Sequence, residues 1–364
     1  MFDLLSAARN IVIPVNWLLN FYDFIEKTTM LTRTTTLSGD AEFLAEKKSP
    51  ARKLTYTPRL GLCCIFREAP IAFRTRQAVH LKKFNRQRQM ELLSESILLN
   101  CRSLLEAVTF CSAHQIGSFR VNSRFFPLKT HPEVGYGLAE LPDHSEILTL
   151  LDKVRRYAET NDIRLTFHPD QFILLSSPRI EVIHNSIEEL SYHSELAELI
   201  GADVIMIHGG GAYGDKKSTL QRLSQTIAGL PASIRSKLAL ENDDRVYTPQ
   251  DLLPVCEKNG IPLVYDVHHH RCLADGITVK NATDIAIATW NREPLFHLSS
   301  PKLGWNGSDP KPHSDMIDPG DFPECWRDKA ITLEIEAKAK EIAIEKLVKD
   351  LRDMDFPAKR LQKQ

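Results

Sequence analysis

Paired cysteines, long apolar runs and internal repeats are absent from this 364-residue chain. Its seven cysteines are odd in number and form no C-x-x-C pair, which argues against a disulfide framework and a zinc knuckle. We therefore expect reduced thiols in a cytoplasmic protein. The apolar stretch over residues 11–21 is too short to span a bilayer, and the N-terminus has no convincing secretory signal. These absences favour a globular protein without membrane contact.

A strong excess of one charge is also missing, since the formal net charge is -1, but the charges are unevenly distributed. Between Lys47 and Met90 twelve basic residues are opposed by a single acidic residue, Glu68. Charge clustered in this way can follow the phosphates of a polyanion. A solvated helix face or a flexible arm has the same composition, and the sequence slightly favours that simpler interpretation.

A short apolar run, a turn and an amphipathic stretch alternate from Arg59 onwards. The predicted strands are Arg59–Cys64, Ser118–Asn122, Ile163–His168, Asp203–His208, Lys237–Glu241, Pro262–Asp266, Pro294–His297 and Ile331–Glu336. The predicted helices are Asn85–Ser112, Ser145–Asn161, Ile180–Ile200, Lys217–Leu230, Pro249–Asn259, Val279–Thr289 and Lys338–Arg352. Eight strands alternating with helices predict a parallel sheet closed into a (β/α)8 TIM barrel. With no repeat or low-complexity linker, we expect one barrel domain over residues 56–356, a partly disordered N-terminal extension over residues 1–55 and a disordered tail over residues 357–364.

Ligand-type side chains stand at the ends of six consecutive predicted strands. The residue two before a strand-end ligand faces the same way, because side chains alternate along a strand. The strand-end residues are His168, His208, Glu241, Asp266, His297 and Glu336. His269 lies three residues after Asp266, between two other histidines, and His313 lies in the loop after the seventh strand.

These residue types suit a metal centre. Imidazole and carboxylate groups bind zinc, manganese or iron, and a carboxylate can bridge two ions. Eight candidates exceed the four to six ligands that one ion needs, so two or three divalent ions are implied. Each residue alone has a structural alternative, such as capping a following helix, but six coincidences at one barrel face favour the metal site.

Two further motifs follow predicted strands. Gln171 and Phe172 come just after His168, where an amide and a ring can read a ligand by hydrogen bonding and stacking. Glycines 209–211 follow His208 without the Lys-Ser/Thr pair of a nucleotide-binding P-loop. They would let a phosphate-bearing backbone come close, although a plain tight turn explains them nearly as well.

Together these motifs resemble the UV damage endonuclease family. The resemblance covers roughly residues 59–341 and rests on Arg59-Leu-Gly-Leu, His168-Pro-Asp-Gln-Phe, Ile207-His-Gly-Gly-Gly-Ala-Tyr-Gly-Asp-Lys, Leu240-Glu-Asn-Asp, Asp266-Val-His-His-His, His297-Leu-Ser-Ser and Glu336-Ala-Lys-Ala-Lys-Glu. The family is similar in fold to endonuclease IV and the xylose isomerase-like barrels. The resemblance implies a metal-dependent hydrolase that nicks double-stranded DNA on the 5′ side of a UV photoproduct and so initiates excision repair. Manganese is the favoured metal, with zinc and magnesium as alternatives.

The resemblance also assigns roles to individual residues. The implied metal ligands are His168, His208, Glu241, Asp266, His269, His297, His313 and Glu336, and this assignment selects His269 over its two neighbours. Glu241 and His131 are the implied catalytic residues, His131 with a less defined role. Gln171 and Phe172 match the pair that inserts into the duplex at the lesion, and Lys216 would lie near the DNA backbone.

Three positions depart from the family pattern. Leu62 replaces a frequent tyrosine, Phe172 lacks the tyrosine hydroxyl, and Leu295 stands where some members carry a metal-facing carboxylated lysine. We hypothesise that the inward-facing Glu334 supplies the missing carboxylate to the cluster.

Two rival functions stay open from the sequence. A sugar isomerase on a related barrel uses the same ligand set, but it needs neither the basic stretch nor Gln171-Phe172. A metal-containing protein that binds DNA damage without cleaving it has only Leu295 in its favour. We expect a monomer, because nicking needs only one site.

Overall fold

A closed barrel of eight parallel strands forms the centre of the computed structural model, which describes residues 58–353. The strands follow one another around the barrel in chain order, and the first pairs with the last to close it. They are β1 Arg59–Cys63, β2 Ser118–Val121, β3 Arg164–Phe167, β4 Val204–His208, β5 Leu238–Glu241, β6 Leu263–Asp266, β7 Leu295–Leu298 and β8 Thr332–Ile335. The predicted (β/α)8 TIM barrel is confirmed. The predicted extension over residues 1–55 and the tail over residues 357–364 lie outside the described residues.

Helices surround the barrel between the strands. They are α1 Ala78–Leu81, α2 Arg86–Ala113, α3 His144–Thr160, α4 Ile180–Ile200, α5 Lys216–Ala228, α6 Ala232–Arg235, α7 Pro249–Asn259, α8 Val267–Cys272, α9 Val279–Ala288 and α10 Glu341–Asp353. All seven predicted helices are present. The short helices α1, α6 and α8 were not predicted, because fewer than two turns give too little periodicity to recognise. Within residues 58–353, no helix is long and apolar enough to cross a membrane.

Local sequence determines where several helices begin and end. The Asn85 side chain accepts a hydrogen bond from the Arg88 amide at the start of α2. Thr248 and Asp251 form a capping box at the start of α7, with Pro249 at its first position. The same helix ends at Gly260, whose φ of 62° is in the left-handed region that favours glycine.

A small apolar layer fills the barrel interior below the strand ends. Its members are Val204, Met206, Ala239, Val264 and Leu295, all of them fully buried. Each lies two or four residues before a predicted strand-end ligand, so the alternation of faces assumed from the sequence is correct. The cluster of polar strand ends therefore has a dry, packed floor.

Paired charges close the opposite, amino-terminal end of the barrel. Arg59 Nε lies 2.9 Å from Glu293 Oε1, and Arg164 Nη2 lies 2.8 Å from Asp203 Oδ2. The Thr332 hydroxyl also donates to Glu293, at 2.7 Å. The charges of these two ion pairs are therefore compensated within the protein.

Acidic residues from distant positions neutralise much of the basic stretch. Arg86 pairs with Glu140 at 2.6 Å, and Lys82 pairs with Glu133. Arg76 contacts Glu95 in a further ion pair, at 3.2 Å. These contacts support the simpler interpretation of the stretch as a charged surface, as far as its part after residue 57 is concerned.

Candidate metal centre

Five of the predicted ligands converge at the carboxyl-terminal face of the barrel. They form two groups, His168–His208–Glu241 and Glu241–Asp266–His297, and within each group the candidate ligand atoms lie within 4.8 Å of one another. The strand register produces this arrangement, because His208 is paired with Glu241 and Asp266 with His297. Glu241 belongs to both groups and is fully buried.

The two carboxylate oxygens of Glu241 face different histidines. Oε2 lies 3.5 Å from His168 Nε2 and 3.6 Å from His208 Nε2. Oε1 lies 3.0 Å from His297 Nδ1 and 3.4 Å from His269 Nδ1. A carboxylate in this position could offer one oxygen to each of two neighbouring ions.

Buried oxygen atoms without hydrogen bonds indicate what this cluster is built to bind. Glu241 Oε2 and Asp266 Oδ2 are both buried, and neither has a hydrogen-bond partner. An unpaired buried carboxylate oxygen is costly, and protein interiors almost always satisfy such atoms. A divalent cation would satisfy both oxygens, and imidazole with carboxylate is a donor set that such cations accept. The residues therefore fit a divalent metal site.

The surrounding groups favour an ionised Glu241. Burial raises the pKa of this carboxyl group, but His297 and His208 lower it more strongly, with a further contribution from His168. The net result is a pKa well below the usual range. His168 itself is dominated by burial, which lowers its pKa to about 3 and keeps the imidazole neutral, as a metal ligand must be.

Two other histidines of the cluster have pKa values that are raised instead of lowered. Burial lowers the pKa of His297, but Glu241 and Glu336 raise it well above the usual range. Burial likewise lowers the pKa of His269, whereas Asp266 and Glu241 raise it to about 10. Protons on these imidazoles compensate the carboxylates in the absence of a cation, and a divalent cation would replace them.

Glu336 and His313 extend the cluster at one edge. Glu336 lies just beyond β8, where its amide donates to the Leu298 carbonyl at 2.9 Å. Its Oε2 lies 3.6 Å from His313 Nδ1, and its Oε1 lies 3.5 Å from His297 Nδ1. His313 is held by an antiparallel bridge to Pro301. All eight predicted ligands therefore lie in one connected set of side chains.

Sequence reasoning missed Arg120, a buried cation at the same face. Its Nη2 lies 2.6 Å from Glu336 Oε1, and its Nη1 lies 3.2 Å from Glu334 Oε2 and 3.1 Å from His168 Nδ1. Metal-ligand patterns consist of imidazole, thiolate and carboxylate groups, so they do not select an arginine. The sequence feature that could have identified Arg120 is its position as the single charged residue in the segment Ser118–Val121.

Glu334 lies one layer below the cluster. Its carboxylate accepts a hydrogen bond from Thr166 and lies 3.1 Å from His297 Nε2, on the opposite edge of the ring from the other carboxylates. Burial raises the pKa of Glu334, but Arg120 and His297 lower it below the usual value. Glu334 thus faces the cluster through His297, which is the position of a residue that orients a ligand rather than of a ligand.

Gln171 and Phe172 lie at the tip of a turn beside the cluster. The Ile173 amide donates to the Asp170 carbonyl at 3.1 Å, which leaves the two residues at the centre of the turn. Both are exposed, Phe172 to 71%. Arg124 Nη2 supports the turn by contacting Asp170 Oδ2 at 3.2 Å. An exposed phenylalanine on a braced turn is suited to contact a ligand outside the barrel.

Two other predicted functional residues have local contacts. His131 Nδ1 accepts hydrogen bonds from the amides of Glu133 and Val134, at 3.1 and 3.3 Å. Lys216 Nζ contacts Asp251 Oδ2 at 2.8 Å. Among the described residues, neither side chain is joined to the cluster by a hydrogen bond, so their roles stay predictions.

Packing inside the protein explains two of the three glycines after β4. A Cβ at Gly209 would lie 2.7 Å from Tyr247 Cδ2, and one at Gly210 would lie 2.8 Å from Ser176 Oγ. Gly210 also has a φ of 86°. Close packing at Gly209 and a left-handed turn conformation at Gly210 therefore account for both residues without a bound phosphate.

An α/β barrel with a shared histidine–carboxylate centre at its carboxyl-terminal face is consistent with the class of barrels that bind divalent metals there. The comparison with known families narrows this class. The chain matches the family described as UV-endonuclease UvdE over residues 58–361, and it belongs to that family. The resemblance inferred from the motifs is confirmed.

Individual relatives agree with this assignment. The chain is 35% identical over 283 residues to a UV DNA damage endonuclease from Bacillus pumilus, a match that covers 74% of this chain and 85% of the relative. The crystal structure of SacUVDE superposes with a TM-score of 0.72 at 28% identity, covering 82% of this chain and 99% of that one. Endonuclease IV from Thermus thermophilus matches with a TM-score of 0.52 at 16% identity, covering 81% and 98%, which shows a shared fold.

Proposed function

We propose that this protein is a DNA-repair endonuclease that nicks double-stranded DNA on the 5′ side of UV photoproducts by metal-assisted hydrolysis. Membership of the UV-endonuclease family supports endonuclease activity, and the names of the relatives support UV-damaged DNA as the substrate. The observation that carries the chemistry is the bridging position of Glu241, with histidines on both of its oxygens. In the proposed reaction water adds to phosphorus, the bond to the 3′ oxygen breaks, and the products are a 3′-hydroxyl and a 5′-phosphate.

The predicted ligands would hold the ions as two overlapping sites. His168 and His208 would share one ion with Glu241, while Asp266 and His297 would share the other. His269 lies next to the second site, and Glu336 with His313 could hold a third ion at the edge. When bound, divalent ions supply Lewis acidity to phosphodiester hydrolysis. We favour manganese, with zinc and magnesium as alternatives.

The protein's own groups would orient the substrate around this centre. Arg120 places a fixed positive charge beside Glu336, where negative charge on a transferring phosphoryl group would be stabilised. The packed layer around Leu295 excludes water from below the cluster. His131 is retained as a second catalytic candidate, and Lys216 as a contact to the DNA backbone.

The turn with Gln171 and Phe172 would read the lesion. A photoproduct is already poorly stacked, so opening the duplex there costs less than at normal DNA. The Phe172 ring can stack on a base without the tyrosine hydroxyl, because stacking needs only the ring face. Gln171 would supply the hydrogen bonds. We further propose a monomer working in the cytoplasm, with residues 56–356 as the catalytic domain.

One incubation tests this function against its rivals. Purified protein is incubated with Mn²⁺ and with irradiated or unirradiated supercoiled plasmid. Nicking confined to irradiated plasmid supports the endonuclease, and binding without nicking would favour the damage-binding protein. Failure to bind or nick, combined with turnover of ketoses and aldoses, would favour the sugar isomerase.

The lesion-reading turn has a separate test. We expect Gln171→Ala combined with Phe172→Ala to reduce discrimination between damaged and normal duplex by about tenfold or more, the scale of one lost stacking contact. Metal content should not change, because neither side chain is in the metal cluster. Phe84→Ala removes another partly exposed phenylalanine and serves as the control. Unchanged discrimination between damaged and normal duplex in the double variant would contradict the role of the turn in lesion recognition.

A further inference from the structure

A cleft at the edge of the metal cluster contains two lysines that have no role in the function proposed so far. It lies at the end of β8 and has a volume of ≈ 300 Å³, at the lower end of ligand-binding clefts. Three cationic side chains, two predicted ligands and two apolar residues line it: Arg120, Lys338, Lys340, His313, Glu336, Pro312 and Ala337. Arg120 is already paired with Glu336 and Glu334, so Lys338 and Lys340 supply the positive charge that an anion would meet in this open cleft.

The sequence motif Glu336-Ala-Lys-Ala-Lys-Glu contains both lysines between two glutamates whose roles are clear. Glu336 belongs to the cluster, whereas the Glu341 carboxylate accepts hydrogen bonds from the amides of Arg67, Glu68 and Ala69. Glu341 therefore anchors the loop after β1. The first glutamate serves the predicted metal site and the last serves the fold, which leaves Lys338 and Lys340 unexplained.

The two lysines also differ from many other cations within residues 58–353, which form ion pairs. Lys346, on the following helix, contacts Asp350, and Lys82 contacts Glu133. Within the part of the chain that the structure describes, no acidic side chain forms an ion pair with Lys338 or Lys340. Their charge is thus available to a ligand.

Backbone contacts fix the lysine segment against the loop that carries His313. The Lys338 amide donates to the Ser314 carbonyl at 3.1 Å, and the Ala339 amide donates to the Asp315 carbonyl at 3.0 Å. Lys340 has a φ of 56°, in the left-handed region that residues with side chains rarely adopt. Its carbonyl accepts from the amide of Ala343 at 3.0 Å, at the start of α10. The position of the lysines is therefore set by the fold.

From this arrangement we infer that the cleft is a binding site for a backbone phosphate of DNA, held by Lys338 and Lys340 beside the metal cluster. This inference rests on the proposed function. Phosphate is the anion that suits the site, because lysines bind it as point charges and the adjoining cluster already handles a phosphodiester. The ligand is either the 5′-terminal phosphate that hydrolysis creates or an intact phosphodiester beside it.

Binding to three short duplexes tests the inference and separates these two sources. The first carries a nick with a 5′-phosphate, the second the same nick with a 5′-hydroxyl, and the third is intact and undamaged. Dissociation constants are measured by fluorescence anisotropy over a range of salt concentrations, with Mn²⁺ present. The proteins are wild type, Lys338→Ala combined with Lys340→Ala, and Lys349→Ala, which removes an exposed lysine further along α10.

If the terminal phosphate is the ligand, wild type should prefer the 5′-phosphate nick by about tenfold, as expected for one or two charge-assisted hydrogen bonds. The double variant should lose this preference and Lys349→Ala should keep it. If an intact phosphodiester is the ligand, the double variant should lose affinity equally for all three duplexes. The slope of log K against log salt should then fall by about one for each lost contact.

The inference is overturned if the double variant and Lys349→Ala have the same affinities and the same salt slopes on every duplex. A second pair of substitutions, Lys338→Arg with Lys340→Arg, should restore binding and so excludes a folding defect. Nicking of irradiated plasmid by wild type is measured in parallel. Its absence would contradict the proposed function, whereas nicking without any effect of the lysines contradicts the cleft alone.

Discussion

The two ends of the barrel differ in whether their carboxylate oxygen atoms have hydrogen-bond partners. At the amino-terminal end, Glu293 accepts from Arg59 and Thr332, and its carboxylate is satisfied. At the carboxyl-terminal end, oxygen atoms of Glu241 and Asp266 are buried without a hydrogen bond. Both ends belong to the same eight strands, so the fold alone does not produce the difference.

We interpret this difference as a division of roles, in which one end of the barrel stabilises the fold and the other end serves the function. The ion pairs at one end are formed within the protein, whereas divalent cations would satisfy the unpaired oxygen atoms at the other end. Barrels generally place chemistry at the carboxyl-terminal face and leave the opposite face to stability. Glu334 repeats the arrangement of Glu293, since it too contacts an arginine and a threonine, but it also contacts His297. One oxygen of Glu334, Oε2, is also buried without a hydrogen bond, so in this respect the residue resembles Glu241 and Asp266.

The largest expected effect comes from breaking the bridge at the carboxyl-terminal end. Glu241→Gln removes the charge that two ions would share, so we expect nicking of irradiated plasmid to fall by about 10³-fold or more. Metal bound per chain, measured by elemental analysis, should also fall. Full metal content in this variant would contradict the bridging role.

Glu334 and Glu293 form a matched pair for the next comparison. Glu334→Gln weakens the orientation of His297, and we expect metal affinity to fall about 10–100-fold, as for other residues that hydrogen-bond to a ligand. Glu293→Gln removes a carboxylate with the same kinds of partner at the other end, and metal affinity should not change. Calorimetric titration with Mn²⁺ measures both. Equal metal affinities of the two variants would contradict a role of Glu334 in orienting His297.

At the amino-terminal end the effect should be on stability alone. Arg164→Met breaks the ion pair with Asp203, and we expect a loss of about 1–3 kcal/mol in the free energy of unfolding, because the arginine is buried but its partner is partly exposed. Arg155→Met, which breaks more exposed pairs, should cost less than about 0.5 kcal/mol. Denaturant unfolding measures both, with metal content as the control. Loss of metal in Arg164→Met would contradict the claim that the amino-terminal end affects stability alone.

The smallest expected effect depends on pH. Burial raises the pKa of Glu341, but hydrogen bonds from the amides of Glu68, Arg67 and Ala69 lower it below the ordinary 4.5. The carboxylate therefore stabilises the folded state above pH 4.5, and this contribution is lost as the pH falls through the lower folded-state pKa. Glu341→Gln should cost about 1–2 kcal/mol at neutral pH and less below pH 4.5.

Unfolding curves at several pH values measure this difference. Glu345→Gln, an exposed position on the same helix, is the control and should show little pH dependence. A cost for Glu341→Gln that stays constant down to pH 3 would mean that the carboxylate charge is not what anchors the loop.

The fold and the predicted ligands followed from sequence because both are periodic. Alternation along strands placed Val204, Met206 and Leu295 inside the barrel and aligned the strand-end residues above them. Arg120 escaped because its role depends on contacts with residues over 200 positions away, such as Glu336. Pairing partners such as Glu133 for Lys82 were hidden for the same reason, since the sequence alone does not show which distant acids come close.

The central claim is that Glu241 bridges two divalent cations at the carboxyl-terminal face. The most direct measurement is anomalous X-ray diffraction from crystals of the protein grown with Mn²⁺, collected at the manganese absorption edge. The account predicts two anomalous peaks, each about 2.0–2.3 Å from one Glu241 oxygen, one shared with His168 and His208 and the other with Asp266 and His297. A map with no peak within bonding distance of Glu241 would contradict it.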